Sequence, residues 1–387
     1  MHAFSPDAAR TFPQPWPDER AEAAERAAAA EFPTPADEIW RYSRIEDLDL
    51  ARFVPGRPAT SIEGDDGLVV DLAVATAPPD VVGGDAPDVF AELNAAFMTP
   101  LVVRVPAGQL VAEPVVIEHT LRGEGTAAFP RLVIEAGADS QVTVIERFTS
   151  GAGERVLAVP VVQVRAGAAA RVNYFGINVL DDAAWQIGHQ QAVGDRDSTI
   201  TLGTVALGGH YARVRTEARI SGPGGSTRQI ALYFAGGEQM HDFRTIQDHD
   251  APHTTSDLLF KGAVQDSARS VYTGLIRIRP HARGTSAFQT NRNLTLSEGA
   301  WAESVPNLEI ETNDVKCSHA STVGPIDPEQ RFYLESRGIP TPIAERLVVL
   351  GFFDEVLDQL PVGPLAERLR AQVSAKLALN RSLAGVA

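Results

Sequence analysis

The 387-residue chain has a single cysteine, Cys317, and only three lysines, Lys261, Lys316 and Lys376. One cysteine excludes an intrachain disulfide. It also excludes multi-cysteine zinc sites and four-cysteine iron–sulfur clusters completed within one chain. None of the lysines follows a glycine, so the Gly-Lys-Ser/Thr phosphate cradle of a P-loop is missing and no nucleotide is expected on this chain. A G-x-S-x-G nucleophile elbow and an H-E-x-x-H zinc helix are absent too. Positive charge is scarce: 34 Lys+Arg against 50 Asp+Glu leave a formal net charge of −16. A field of that sign opposes nucleic-acid phosphates and anionic membrane surfaces. Long apolar runs are lacking as well. The longest, residues 347–353 (LVVLGFF), falls far short of the roughly 20 residues that span a bilayer. The opening MHAFSPDAAR carries no apolar segment of a secretory signal. The expected location is therefore the cytoplasm, without membrane insertion or a nucleic-acid partner.

What is present divides the chain into three regions: 1–65 helical, 66–320 strand-rich, and 321–387 helical. In the first, Asp18 to Glu31 is rich in Ala and Glu, both strong helix formers, with Pro17 just ahead, where proline is tolerated. A second short helix is expected from Ala36, carrying Ile39, Trp40 and Tyr42, and another at 87–97. In the last region, Asp327-Pro328 and Thr341-Pro342 read as helix starts, and Gly338 as a helix stop. Residues 362–380 carry Leu365, Leu369, Val373, Leu377 and Leu379 mostly on one stripe. That stripe needs a cover, either its own domain or a partner.

The middle region alternates apolar and polar residues in short runs, among them 132–135, 141–148, 161–164, 171–177, 198–207, 211–220, 228–234 and 270–279. Alternation is the period of a half-buried strand. Turn glycines at 137, 167, 194 and 224 recur 30, 27 and 30 residues apart. A turn at that period fits the stacked coils of a parallel β-helix. A β-sandwich or jelly roll also gives many short strands with Gly turns, and the pattern alone leaves both open.

Three local signals carry chemistry. Gly123 to Ala128 (GEGTAA) matches the G-x-G-x-x-A dinucleotide pattern but runs into Phe129-Pro130 rather than a helix, so it reads as a turn. His241, His249, His253 and His281 fall within about forty residues, but their spacing gives no single helical face and reads as separate hydrogen-bonded histidines rather than a metal site. The third is Leu308 to Gly324. If 313–319 is extended, Cys317 and His319 project from the same face and Lys316 from the other. Thiolate and imidazole are a ligand pair suited to iron or zinc, and a nearby cation would favour the thiolate. Two ligands do not close a site, so the rest would come from another chain or from substrate. The alternative is a structural thiol beside a satisfied histidine.

This stretch also resembles the SufB/SufD family of iron–sulfur cluster assembly proteins. The resemblance runs from Asn293-Leu294-Thr295 through Asp314-Val315-Lys316-Cys317-Ser318-His319, Phe332-Tyr333-Leu334 and Ser336-Arg337-Gly338 to Gly351-Phe352. Phe260-Lys261-Gly262 and Glu38-Ile39-Trp40-Arg41-Tyr42 are similar too. It implies a mainly β fold with helical ends: a right-handed parallel β-helix flanked by N- and C-terminal helical regions. It implies a non-catalytic scaffold that pairs with a SufB-like protein and binds a SufC-like ABC ATPase through its C-terminal helices. An exposed β-helix end would also offer unpaired strand edges, which leaves a homodimer open when the partner is absent. Cys317 and His319 match family positions near the SufB interface, which makes them candidate ligands of transient iron or a nascent cluster. SufB itself is expected to carry a further cysteine within its β-helix, so the lone cysteine here points to the SufD side. Ala320-Ser321 departs from the Gly-Ala usual on that side and adds a hydroxyl near the proposed site. Two other readings stay open, a self-contained β-helix enzyme acting on polysaccharide and a purely structural adapter.

Overall fold

The computed structural model describes residues 2–64, 67–69, 77–83, 86–360 and 363–378. The region boundary at 65/66 and Leu379 of the C-terminal stripe lie outside these residues. Every alternating run of the middle region lies in a strand, and the strands stack as a parallel β-solenoid with helices at both ends. Among the described residues they form two sheets, of eleven and nine strands. Apart from Ala59–Glu63, which lies antiparallel to Val115–Leu121, the paired strands run parallel, each beside its equivalent in the neighbouring coil. In the smaller sheet Tyr174 stands beside Leu202, Leu202 beside Gln229, Gln229 beside Leu258, and Leu258 beside Gln289. The coils therefore build a continuous interior that no single coil could bury, and the sandwich alternative is set aside.

The sequence period marks one corner of the solenoid. Gly108, Asp139, Ala169, Asp197, Gly224, His253 and Gly284 all have positive φ. Each donates its backbone N–H to a carbonyl of the next coil's turn, at Ala138, Ala168, Arg196, Pro223, Pro252, Arg283 and Asp314 respectively. The turn geometry needs a left-handed residue, yet glycine occupies only some rungs. Asp is among the residues that tolerate this region, which is why the glycine spacing traces the period imperfectly.

Several strands show no alternation in sequence, notably Trp185–Gly194, Met240–His249 and Thr285–Thr295. The interior here is polar, with Gln190, Gln247, His249, Gln289, Asn291 and Asn293 all buried. Some outer faces are covered too, so inward and outward positions do not differ in hydropathy.

The N-terminal helices Pro6–Thr11, Pro17–Ala29 and Val89–Phe97 pack together against the larger sheet, around Phe4, Phe97 and Phe129. Pro17 opens its helix, and Asp88 caps the third by accepting from the N–H groups of Phe90 and Ala91. The helix expected from Ala36 is only a 3-10 turn, Glu38–Trp40. Its neighbouring carbonyls go elsewhere: Arg213 donates to Ile39 O (2.6 Å) and Arg244 to Arg41 O (2.6 Å). Trp40 covers the buried Arg213 guanidinium at 3.8 Å, a cation–π contact that is stronger when desolvated.

At the other end, Thr341–Leu357 and Gly363–Ala378 lie on the outer face of the smaller sheet. Val349, Phe353, Val356, Leu369, Val373 and Leu377 bury against Leu232, Phe234 and Leu259. The amphipathic stripe of the last helix is thus covered by its own sheet. It is not the free surface that a partner would need, because the apolar outer face of the smaller sheet competes for it within the same chain.

Candidate functional site

The site grows out of the way the solenoid ends. Trp301–Ile310 and Val315–Gly324 are the last strands of the two sheets, each paired on one side only. Their outer edges present backbone groups without a ladder partner, a template for another chain. Neither strand has a buried residue, and Leu308, Ile310 and Val323 put exposed apolar side chains there.

Strand Val315–Gly324 continues columns that are buried in earlier coils. Cys317 lies in register with Ala287, His319 with Gln289, and Ser321 with Asn291. Ala287, Gln289 and Asn291 are all buried, so the final coil carries inward columns to a level that no further coil covers. Cys317 is half-buried and packs with Val315 against Ile276, Ile278 and Ala282. His319 is exposed. The two sequence-predicted residues are thus alternate members of one strand at the open end.

The thiolate expectation is corrected here. Burial pushes the Cys317 thiol up from its ordinary value, which favours the protonated form. Lys316 sits between Cys317 and Val315 in the alternation, on the opposite side of the strand, and supplies no balancing field. Among the described residues no three His, Cys, Asp or Glu side chains converge as a metal site.

The upstream histidines lie apart. His241 is buried, with Nε2 against Gly208 O at 3.3 Å. His249 is buried between Thr254 Oγ1 and Ser256 Oγ, each at 2.8 Å. His281 is exposed beside Asp250. Desolvation lowers His241 to about 3, helped by Lys376, and lowers His249 to about 4. They are neutral internal hydrogen-bonding groups. The GEGTAA segment is a turn at Gly123-Glu124-Gly125, with both glycines at positive φ, that runs directly into strand Thr126–Ala128.

A family model described as the SufBD core domain of SUF-system iron–sulfur cluster assembly matches residues 119–352. The chain belongs to the SufBD family. Similar relatives agree. An iron–sulfur cluster assembly SufBD family protein of Mycobacterium bovis is 35% identical over 367 residues, covering 92% of this chain and 91% of the relative. SufD of Escherichia coli is 28% identical over 378 residues, covering 89% of each. SufD of Bacillus subtilis is 31% identical over 277 residues, covering 70% of this chain and 63% of the relative. The chain is an iron–sulfur cluster assembly protein of the SufBD family.

The SufBD-family chain has a second exposed feature that periodicity missed. Helix Pro328–Ser336 buries none of its residues. With the first turns of Thr341–Leu357 it exposes Phe332 (69%), Tyr333 (57%), Ile343 (52%) and Leu347 (45%). A cleft of ≈ 800 Å³ runs between these helices and the outer coils, lined in part by Lys261, Arg292, Tyr333, Leu347 and Phe352. The available signal was the Phe332-Tyr333 pair on a helix with no apolar face to match it. Membrane spanning finds no support among the described residues, where no helix is long and apolar enough to cross a bilayer.

Proposed function

We propose that this SufBD-family chain is the SufD-type, non-catalytic scaffold subunit of a cytoplasmic iron–sulfur cluster assembly complex. Its open solenoid end pairs with a SufB-like chain. Its C-terminal region, 321–387, carries a SufC-like ABC ATPase, and the solenoid region, 66–320, joins the two functions. The observation that carries this reading is the final coil: two strands with an uncovered edge each, one of them bearing Cys317 and His319. An edge of that kind is completed by another chain. A two-ligand set is completed the same way, so iron or a nascent cluster held there is cargo shared with the partner. The half-buried Cys317 thiol, packed with Val315, supports a packing role for that residue, which leaves His319 as the stronger ligand.

The exposed Phe332, Tyr333, Ile343 and Leu347, on two successive helices, support the second interface, since large exposed apolar side chains gathered in one region mark an interaction site. They replace the C-terminal stripe as its anchor. Nucleotide chemistry belongs to the ATPase in this arrangement.

The test is co-expression with SufB-like and SufC-like proteins of the same organism, purification on a tag carried by this chain, and mass determination. A stable complex holding both partners is the expected result. Recovery of this chain alone, with both partners soluble, rules the assignment out.

A further inference from the structure

Lys261 sits on strand Thr255–Val264, is 3% exposed, and is held from outside the solenoid. It donates to Phe352 O at 2.9 Å, lies 4.4 Å from the centre of the Phe352 ring, and pairs with Glu355. Glu355 also reaches Arg292, at 3.6 Å. Arg292 is the lateral neighbour of Lys261 on one side and of Thr322 on the other. A line of contacts therefore runs from helix Thr341–Leu357, through Glu355, Lys261 and Arg292, to the strand that bears Cys317 and His319. The helix cannot lift or rotate without breaking the carbonyl, carboxylate and ring contacts that hold this ammonium group.

We infer that Lys261, Glu355 and Arg292 form a latch that makes helix Thr341–Leu357 and the last coils move as one body. Displacement of the helices by a bound ATPase then reaches strand Val315–Gly324. The inference rests on the reading that these helices carry the ATPase; the latch itself is a property of this chain alone. Lys261 and Glu355 act as positioning residues and touch no cargo.

Hydrogen–deuterium exchange tests it in two arms. In the isolated full chain, Glu355→Gln is expected to speed amide exchange in 341–357 about tenfold and leave 161–166 unchanged. Equal rates in variant and parent overturn the latch. Arg292→Gln, which removes only the outer arm, gives a smaller acceleration and serves if Glu355→Gln fails to fold. In the second arm the chain is bound to the SufC-like ATPase, with and without a non-hydrolysable ATP analogue. In the parent the analogue changes exchange in both 341–357 and 315–324; in the variant the change stops at the helices. The same response in both proteins overturns the coupling. If the parent does not bind the ATPase, the proposed partnership fails while the first arm still decides the latch.

Discussion

Gln289 and His319 are lateral neighbours on adjacent parallel strands, one fully buried and the other open to solvent. The same column position is core in one coil and surface in the next, because no coil follows the last. His319 is thus held in a regular strand yet contributes little to the core. We predict that His319→Ala changes unfolding free energy by no more than about 0.5 kcal/mol and abolishes iron or cluster retention in the assembled complex. Thermal unfolding and anaerobic reconstitution with iron and sulfide check the two halves. Full retention in the variant removes His319 from the ligand set.

Cys317 should behave differently. Its side chain fills space beside Ile276, Ile278 and Ala282. Cys317→Ala is expected to cost about 1 kcal/mol through lost packing, measured by urea unfolding. If reconstitution survives this substitution and fails with His319→Ala, the thiol is structural.

The outer helices give a binding prediction. Phe332→Asp together with Leu347→Asp changes two exposed side chains, so stability should move by less than about 1 kcal/mol. ATPase co-purification should fall at least tenfold. Undiminished binding places the ATPase elsewhere.

Buried neutral histidines set an acid limit. The folded state holds His249 at about 4 through desolvation, against about 6.5 in an unfolded chain. Between those values the unfolded state binds more protons, so stability rises with pH. The contribution is complete above pH 6.5 and is lost as pH falls toward 4. Its size is on the order of 3 kcal/mol. His241, lowered in the same direction by burial and by Lys376, adds to the trend. Urea midpoints should drop from pH 7 to 4.5, with a shallower slope in His249→Asn. An unchanged slope counts against His249 as a source.

Two glycines should respond oppositely to alanine. A Cβ at Gly262 would lie 1.8 Å from the Tyr233 ring, and that ring is fixed by its hydroxyl donating to Asn293 at 2.6 Å. Overpacking there should cost about 3 kcal/mol. Gly351 lies within helix Thr341–Leu357 with nothing near its Cβ position. Gly351→Ala should stabilise by roughly 0.5–1 kcal/mol. Comparing the two urea midpoints decides the sign of each.

The sequence by itself determined the alternating strands, their approximate period, the proline-led helix starts, and the absence of a phosphate loop or a self-contained cysteine cluster. These follow from local rules: alternation, proline and cap chemistry, and the residue types a site requires. It also placed Cys317 and His319 on one strand face, because strand geometry fixes that spacing. Only the tertiary structure decided that their strand is the last one. It also decided that Leu369, Val373 and Leu377 face their own sheet while Phe332 and Tyr333 face outward. Lys261 shows the reason most plainly. Its partners Phe352 and Glu355 lie some ninety residues away in sequence. Exposure at the end of a stack depends on which coil comes next, and a long-range contact leaves no periodicity in the residues that make it.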